Sequence, residues 1–249
     1  MALFLDLLLG HMLGDFLLQP GKLVAAKRDG WPGVFLHSGV VGAVTALVTL
    51  GTLRRDWFAV VAVTLAHMLI EKITILAYKK TPTRGLFTLL FDQSLHVLSI
   101  SAIVLAGGGL EPRATAMLLG FPVATRVLAI IVGLVTVMLA GSILAFEAGN
   151  ALEPGGSKGS LLTLDLARTA GMVERGGAVT LALVVGPALG SAVFLPRAIW
   201  AMTLTPKDRA RQLAQTAAGL LLCAFVLFGI HAVTTLADAG SPPVWARAR

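Results

Sequence analysis

Apolar residues along this chain come in long blocks and do not alternate with polar ones. Seven blocks, at about 2–19, 33–52, 57–78, 86–106, 123–146, 177–195 and 215–236, are built mostly from Leu, Val, Ala, Ile and Phe. A helix rises about 1.5 Å per residue, so roughly 18–20 such residues span a hydrocarbon core. Each block is therefore predicted to be a transmembrane helix. The fold class expected is all-α, a polytopic transmembrane helical bundle of about seven spans. A membrane β-barrel would show short alternating segments, and that pattern is missing.

The breaks carry loop signals: "QPGKLVAAKRDGWPG", "TLRRD", "KKTPTRG", "GGGLEPR", "EPGGSKGS" and "TPKDRARQ". Gly, Pro and clustered charges punctuate helices in this way. The sixth block contains Gly186-Pro187, and Gly186 and Gly190 form a GxxxG pair that permits close helix packing. Residues 1–106 are expected to form a four-helix half. Residues 107–249 are expected to form a second half, with an interfacial or re-entrant connector at about 147–176.

Composition agrees with the pattern. The chain of 249 residues is 56% apolar and only 13% charged, against about 25% charged in an average soluble domain. Its net charge of +7 could suggest nucleic acid. The basic residues, however, sit in short loops beside apolar blocks, where they contact headgroups, so no nucleic-acid partner is expected. Seven spans would distribute Lys and Arg eight to eleven across the two sides, too evenly to orient the protein. No cleavable signal peptide is expected, because the first block lacks a basic leader. The single cysteine, Cys223, lies in an apolar block and is expected to face lipid or another helix.

Polar residues inside the blocks change the picture most. The first holds His11 and Asp15, the third His67 and Glu71, and the fourth Asp92 and His96, each pair four residues apart. Positions i and i+4 share a helix face, about 5–6 Å apart. His37 falls about one turn into the second block. Counted along the helices, all seven groups come to similar depth in one leaflet. An ionisable group in a bilayer is costly unless paired or hydrated. Four imidazoles and three carboxylates at one depth therefore suggest a shared cation. Imidazole with carboxylate suits Zn²⁺, Fe²⁺ or Mn²⁺. Zinc is the expected ion, as one or two ions held by residues from His11, Asp15, His37, His67, Glu71, Asp92 and His96. The blander alternative is interhelical hydrogen bonding. Gln19 and Lys72 are read as interfacial or snorkelling groups, and Gln93 as a group that could orient a ligand.

"HMLGDFLLQ" (11–19), His37 opening the second block, "HMLIE" (67–71) and "DQSLH" (92–96) together resemble an uncharacterised family of bacterial integral membrane proteins, a domain of unknown function. Longer members of that family carry a Gly-x-x-Glu-Arg segment, which stands here as "GMVER", Gly171 to Arg175. Two departures are Glu71, where the family implies aspartate, and "LPRAIW" (195–200), where it implies lysine-serine before the arginine. The resemblance implies a multi-pass protein of the cell inner membrane, with no established reaction. The polar pattern is also similar in kind, as site chemistry only, to intramembrane zinc hydrolases such as the alkaline ceramidases.

The first functional expectation is an intramembrane metal-dependent hydrolase. Asp15 or Glu71 would be its catalytic base, and a membrane lipid or another amphipathic molecule its substrate. A divalent-cation or proton transporter using the same groups is the alternative; a di-metal redox enzyme and a non-catalytic membrane subunit follow. In the second half, Glu147, Asn150, Asp165, Arg168, Glu174 and Arg175 are read mainly as a solvated interfacial loop, and His231 as a hydrogen-bonded core histidine.

Overall fold

The computed structural model describes residues 1–80, 85–107, 111, 113–152 and 166–239. The chain opens with α1 (Ala2–Met12), which widens into a π-helical turn at Leu13–Leu17. After Pro20 a short helix, α2 (Gly21–Asp29), turns away at 95°. α3 (Trp31–Val48), α4 (Leu53–Lys80) and α5 (Gly85–Ala106) follow. A two-stranded hairpin, β1 (Thr115–Leu118) with β2 (Phe121–Ala124), leads into α6 (Thr125–Val135). A second π turn, Thr136–Ala140, joins α6 to α7 (Gly141–Asn150). The remainder is α8 (Leu166–Val185), α9 (Pro187–Ala192), α10 (Leu195–Ala201) and the long α11 (Pro206–Ala239).

Five segments are long and apolar enough to cross a membrane: Trp31–Val48, Leu53–Lys79, Gly85–Ala106, Thr125–Asn150 and Pro206–Ala239. The bent pair Ala2–Leu17 with Gly21–Asp29 makes a sixth if it counts as one span. The protein is thus a helical, multi-pass membrane protein with five such helices, or six, among the described residues. The block at 177–195 is not one helix. It breaks at Gly186, whose φ of +110° only glycine adopts readily, and Pro187 then opens α9. Of the GxxxG pair, Gly186 makes the break. Gly190 packs so tightly on α8 that a Cβ there would lie 2.5 Å from the Ala182 side chain.

Two further expectations change. The segment 20–32, expected as loop, is mostly α2; its second turn carries Lys27 inward. The 147–176 connector is helix up to Asn150 and again from Leu166, and residues 153–165, with Asp165, lie outside the described residues. The hairpin is an addition to an otherwise helical chain. Its two-residue turn has Leu119 at φ 51° and Gly120 at φ 86°, the left-handed pair that a tight hairpin needs. The Leu119 N–H donates to the Val48 carbonyl at 3.1 Å, anchoring the turn on the end of α3.

The described chain forms two compact units. One comprises Met1–Lys72, Gln93–Gly133 and the stretch from Gly229; the other comprises Ile73–Asp92 and Leu134–Phe228. In the first, Leu7, Val60, Val63, Ile100 and Val104 form an apolar core between α1, α4 and α5. α1 meets α3 through Gly10 and Gly14, four residues apart on one face. A Cβ at Gly10 would lie 2.5 Å from Thr45 Cα, and one at Gly14 would lie 2.7 Å from Val41 Cα. Small residues let helix backbones approach in this way where lipid offers no hydrophobic drive. α4 shows the complementary arrangement. Phe58, Val61, Leu65, Leu69, Ile73 and Leu76 recur every three or four residues and are exposed, an apolar stripe suited to lipid. His67, Ile70, Glu71 and Thr74 are buried on the other side. In the second unit Arg175 is buried in α8 and donates from Nε to the Val137 carbonyl at 2.7 Å, in the second π turn. It does not belong to a solvated loop. Cys223 Sγ stands 3.8 Å from the Arg175 carbonyl, so the cysteine faces a helix.

Close backbone approach also fixes the α2–α3 corner, where a Cβ on Gly33 would collide with the Ala26 carbonyl. Gly33→Ala is expected to destabilise the protein by about 1–3 kcal/mol, the usual cost of overpacking. Gly39→Ala, in the same helix with nothing within 4 Å, should be neutral or stabilising by up to about 1 kcal/mol. Thermal unfolding of both variants in the same detergent checks the contrast.

Candidate metal centre

The first unit brings together side chains from α1, its π turn, α2, α3, α4 and α5. His11, one residue before the end of α1, has no exposed surface, and neither do His37 of α3 and His67 of α4. His96 of α5 is 1% exposed. Ring centroids lie 5.2 Å apart for His11–His67, 4.6 Å for His11–His96 and 4.5 Å for His67–His96. Nitrogen atoms of these three rings lie within 4.8 Å of one another. A second set, Asp15, His37, His67 and Glu71, meets the same limit. His67 belongs to both.

In the second set the donor atoms crowd around His37 Nε2. It lies 3.1 Å from Asp15 Oδ1, 3.1 Å from His67 Nε2 and 3.6 Å from Glu71 Oε2. One ring N–H cannot serve a carboxylate and a second imidazole together. A shared proton or a cation would relieve that competition. Four ligands about 2.0–2.1 Å from a tetrahedral zinc stand about 3.3 Å from each other. His67 Nδ1, deep in the first set, is a buried ring nitrogen with no hydrogen-bond partner among the described residues. A buried polar atom without a partner is costly, which fits a ligand position. These buried His, Asp and Glu groups could hold a metal ion.

Asp15 is the most constrained carboxylate. The π turn carries it inward, a placement often seen where helices build functional sites. Oδ1 accepts from Gln19 Nε2 at 3.4 Å, and Oδ2 accepts from Gln93 Nε2 at 3.2 Å. Oδ2 also lies 4.0 Å from His11 Nε2. The two glutamines are thus placed to orient Asp15, a role foreseen only for Gln93 and there for a ligand. Glu71 Oε1 accepts from Lys27 Nζ at 2.7 Å, with Lys27 11% and Glu71 6% exposed. Sequence reasoning missed Lys27 because α2 looked like loop. The helix-forming run "KLVAAKR" after Pro20 was the available signal.

Of the seven candidate ligands, six fall in the two sets: His11, Asp15, His37, His67, Glu71 and His96. Asp92 is in neither set; it belongs to the second compact unit and is partly exposed. Lys72 Nζ sits 4.8 Å over the Trp31 ring, away from the cluster chemistry. His231, expected in a core, is exposed on α11. The five long apolar helices with this buried cluster define a multi-pass membrane protein with a candidate metal centre. Residues 3–120, just under half of the chain, match the model of an uncharacterised family described as protein of unknown function (DUF3307). The match ends before "GMVER", so that segment lies outside the matched residues. Searches among curated proteins and solved structures found no match.

The Lys27–Glu71 pair makes a quantitative prediction. Breaking a buried ion pair leaves an uncompensated charge and costs roughly 3–5 kcal/mol. Lys27→Met should therefore lower stability by about 3 kcal/mol, and adding Glu71→Gln should recover most of that loss. Chemical or thermal unfolding of the single and double variants measures the recovery.

Proposed function

We propose that the protein is an intramembrane metal-dependent hydrolase acting on a lipid or another amphipathic ester or amide. The observation that carries this reading is the set of three buried imidazoles, His11, His67 and His96, with the oriented carboxylate Asp15 beside it. Three protein ligands with one position left for water is the arrangement of catalytic zinc sites. When bound, the metal lowers the pKa of that water and polarises the scissile carbonyl.

Asp15 is the group to take the water proton, since Gln19 and Gln93 hold both its oxygens in place. As the new carbon–oxygen bond forms and the leaving-group bond breaks, Asp15 returns that proton to the leaving oxygen or nitrogen. His37, 3.1 Å from Asp15 Oδ1, steadies the charge that Asp15 gains and loses. The ammonium of Lys27 at Glu71 places positive charge beside the second set, which favours a single ion in the three-histidine set. Gln19 and Lys27 are only partly buried and mark the side by which water and substrate approach. This reading places the protein in a cell inner membrane.

A second reading, a proton or cation path, draws on the continuous contacts Lys27–Glu71, Glu71–His37 and His37–Asp15 at 2.7, 3.6 and 3.1 Å. Metal content separates the two. Protein purified in detergent without chelators should hold about one zinc, iron or manganese ion per chain. His96→Ala should lose most of it, because losing a direct ligand should exceed the roughly 10–100-fold cost of losing an outer partner. His231→Ala should keep it. Metal content should fall as pH is lowered, since ligand imidazoles must be neutral and carboxylates ionised. Absence of metal from wild-type protein across the pH series would favour the path.

A further inference from the structure

The second compact unit contains a cavity of about 700 Å³ that the proposed chemistry does not use. Among its described lining residues are four arginines, Arg168, Arg175, Arg197 and Arg211, and one carboxylate, Glu174. They come from α8, α10 and α11, so the fold gathers them from distant parts of the chain. A helical membrane unit seldom places four guanidinium groups around one space without use, because each is costly away from water.

The arginines are held differently. Arg175 is 5% exposed, and its guanidinium donates to the carbonyls of Val137 at 2.7 Å and Met138 at 3.5 Å. Gly141 makes room for it: a Cβ there would lie 2.8 Å from its Nε. Arg197 Nε meets Glu174 Oε2 at 2.6 Å, with both side chains partly buried. Arg168 stacks on the Phe146 ring, its Cζ 5.0 Å from the centroid. Arg211 is partly buried near the start of α11. Trp200 adds an aromatic wall that is 54% exposed. Guanidinium forks match phosphate oxygens bidentately, and an aromatic wall at an apolar surface suits an acyl chain.

We propose that this cavity binds a phosphate monoester or diester, as the headgroup of an anionic amphiphile. Arg168, Arg197 and Arg211 contact the phosphate and Arg175 fixes the floor. Glu174 competes for Arg197 and so limits affinity. The site is independent of the metal centre.

The full chain in neutral detergent is titrated with dihexanoyl phosphatidic acid, dihexanoyl phosphatidylcholine and inorganic phosphate, with binding read by thermophoresis. Phosphatidic acid should bind best, and Arg211→Gln should weaken it at least tenfold. Arg211→Lys should weaken it less. Lys207→Gln, which removes one charge outside the cavity lining, should leave it unchanged. Glu174→Gln should tighten it several-fold, a gain that a misfolded variant would not give. Tighter binding of phosphatidic acid than of inorganic phosphate assigns the site to a lipid headgroup; equal binding assigns it to free phosphate. The proposal is overturned if phosphatidylcholine binds as tightly as phosphatidic acid, if neither phosphate probe binds, or if Arg211→Gln and Glu174→Gln leave the affinity unchanged.

Discussion

An ionisable side chain placed among hydrocarbon must find a partner, and much of this structure follows from that requirement. The first compact unit puts four imidazoles and two carboxylates where lipid would otherwise be. It meets the cost by drawing them together on the inward faces of α1, α3, α4 and α5. The outward faces are then free to be wholly apolar, as the stripe on α4 is. The same requirement explains the close backbone contact at Gly10 and Gly14. Helices must approach closely if short side chains such as Asp15 are to reach across to His37.

Much of this was legible in the sequence. The pairs His11/Asp15 and His67/Glu71 announced their shared faces by i,i+4 spacing, and His37 by its place one turn into its block. The apolar blocks marked six of the segments that emerge as spans or as the bent first pair. What the sequence hid depends on geometry between elements. Spacing alone put Asp92 with His96, yet only His96 reaches the three-histidine set, while the neighbouring Gln93 reaches Asp15. Lys27 was hidden because nine residues between a proline and a glycine look like loop, although they fold as α2. Gly186-Pro187 was visible as a dipeptide, but the positive φ that turns it into a break belongs to the backbone.

The two halves of the polar inventory differ in kind. In the matched region, imidazole and carboxylate predominate, and their donor atoms crowd to ligand distances. In the second unit four arginines line one cavity, and one of them, Arg175, donates to the carbonyls of a π turn. "GMVER" belongs to this second pattern. Its arginine is buried against the backbone and also lines the cavity, a placement that a reading as solvated loop does not give.

The π turn at Leu13–Leu17 has a consequence for how this helix tolerates change in length. A π turn accommodates about one more residue than an α turn, and each residue of an α-helix advances the chain by about 100°. The widening therefore acts as a phase offset between the apolar register of Leu7 and Gly10 on one side and Asp15 on the other. Removing one residue from 13–17 would let the helix wind regularly. It would leave the flanking segments in register, because the widened turn absorbs the extra residue, and would re-aim Asp15 within the turn. Length, as much as side-chain identity, is what this segment encodes.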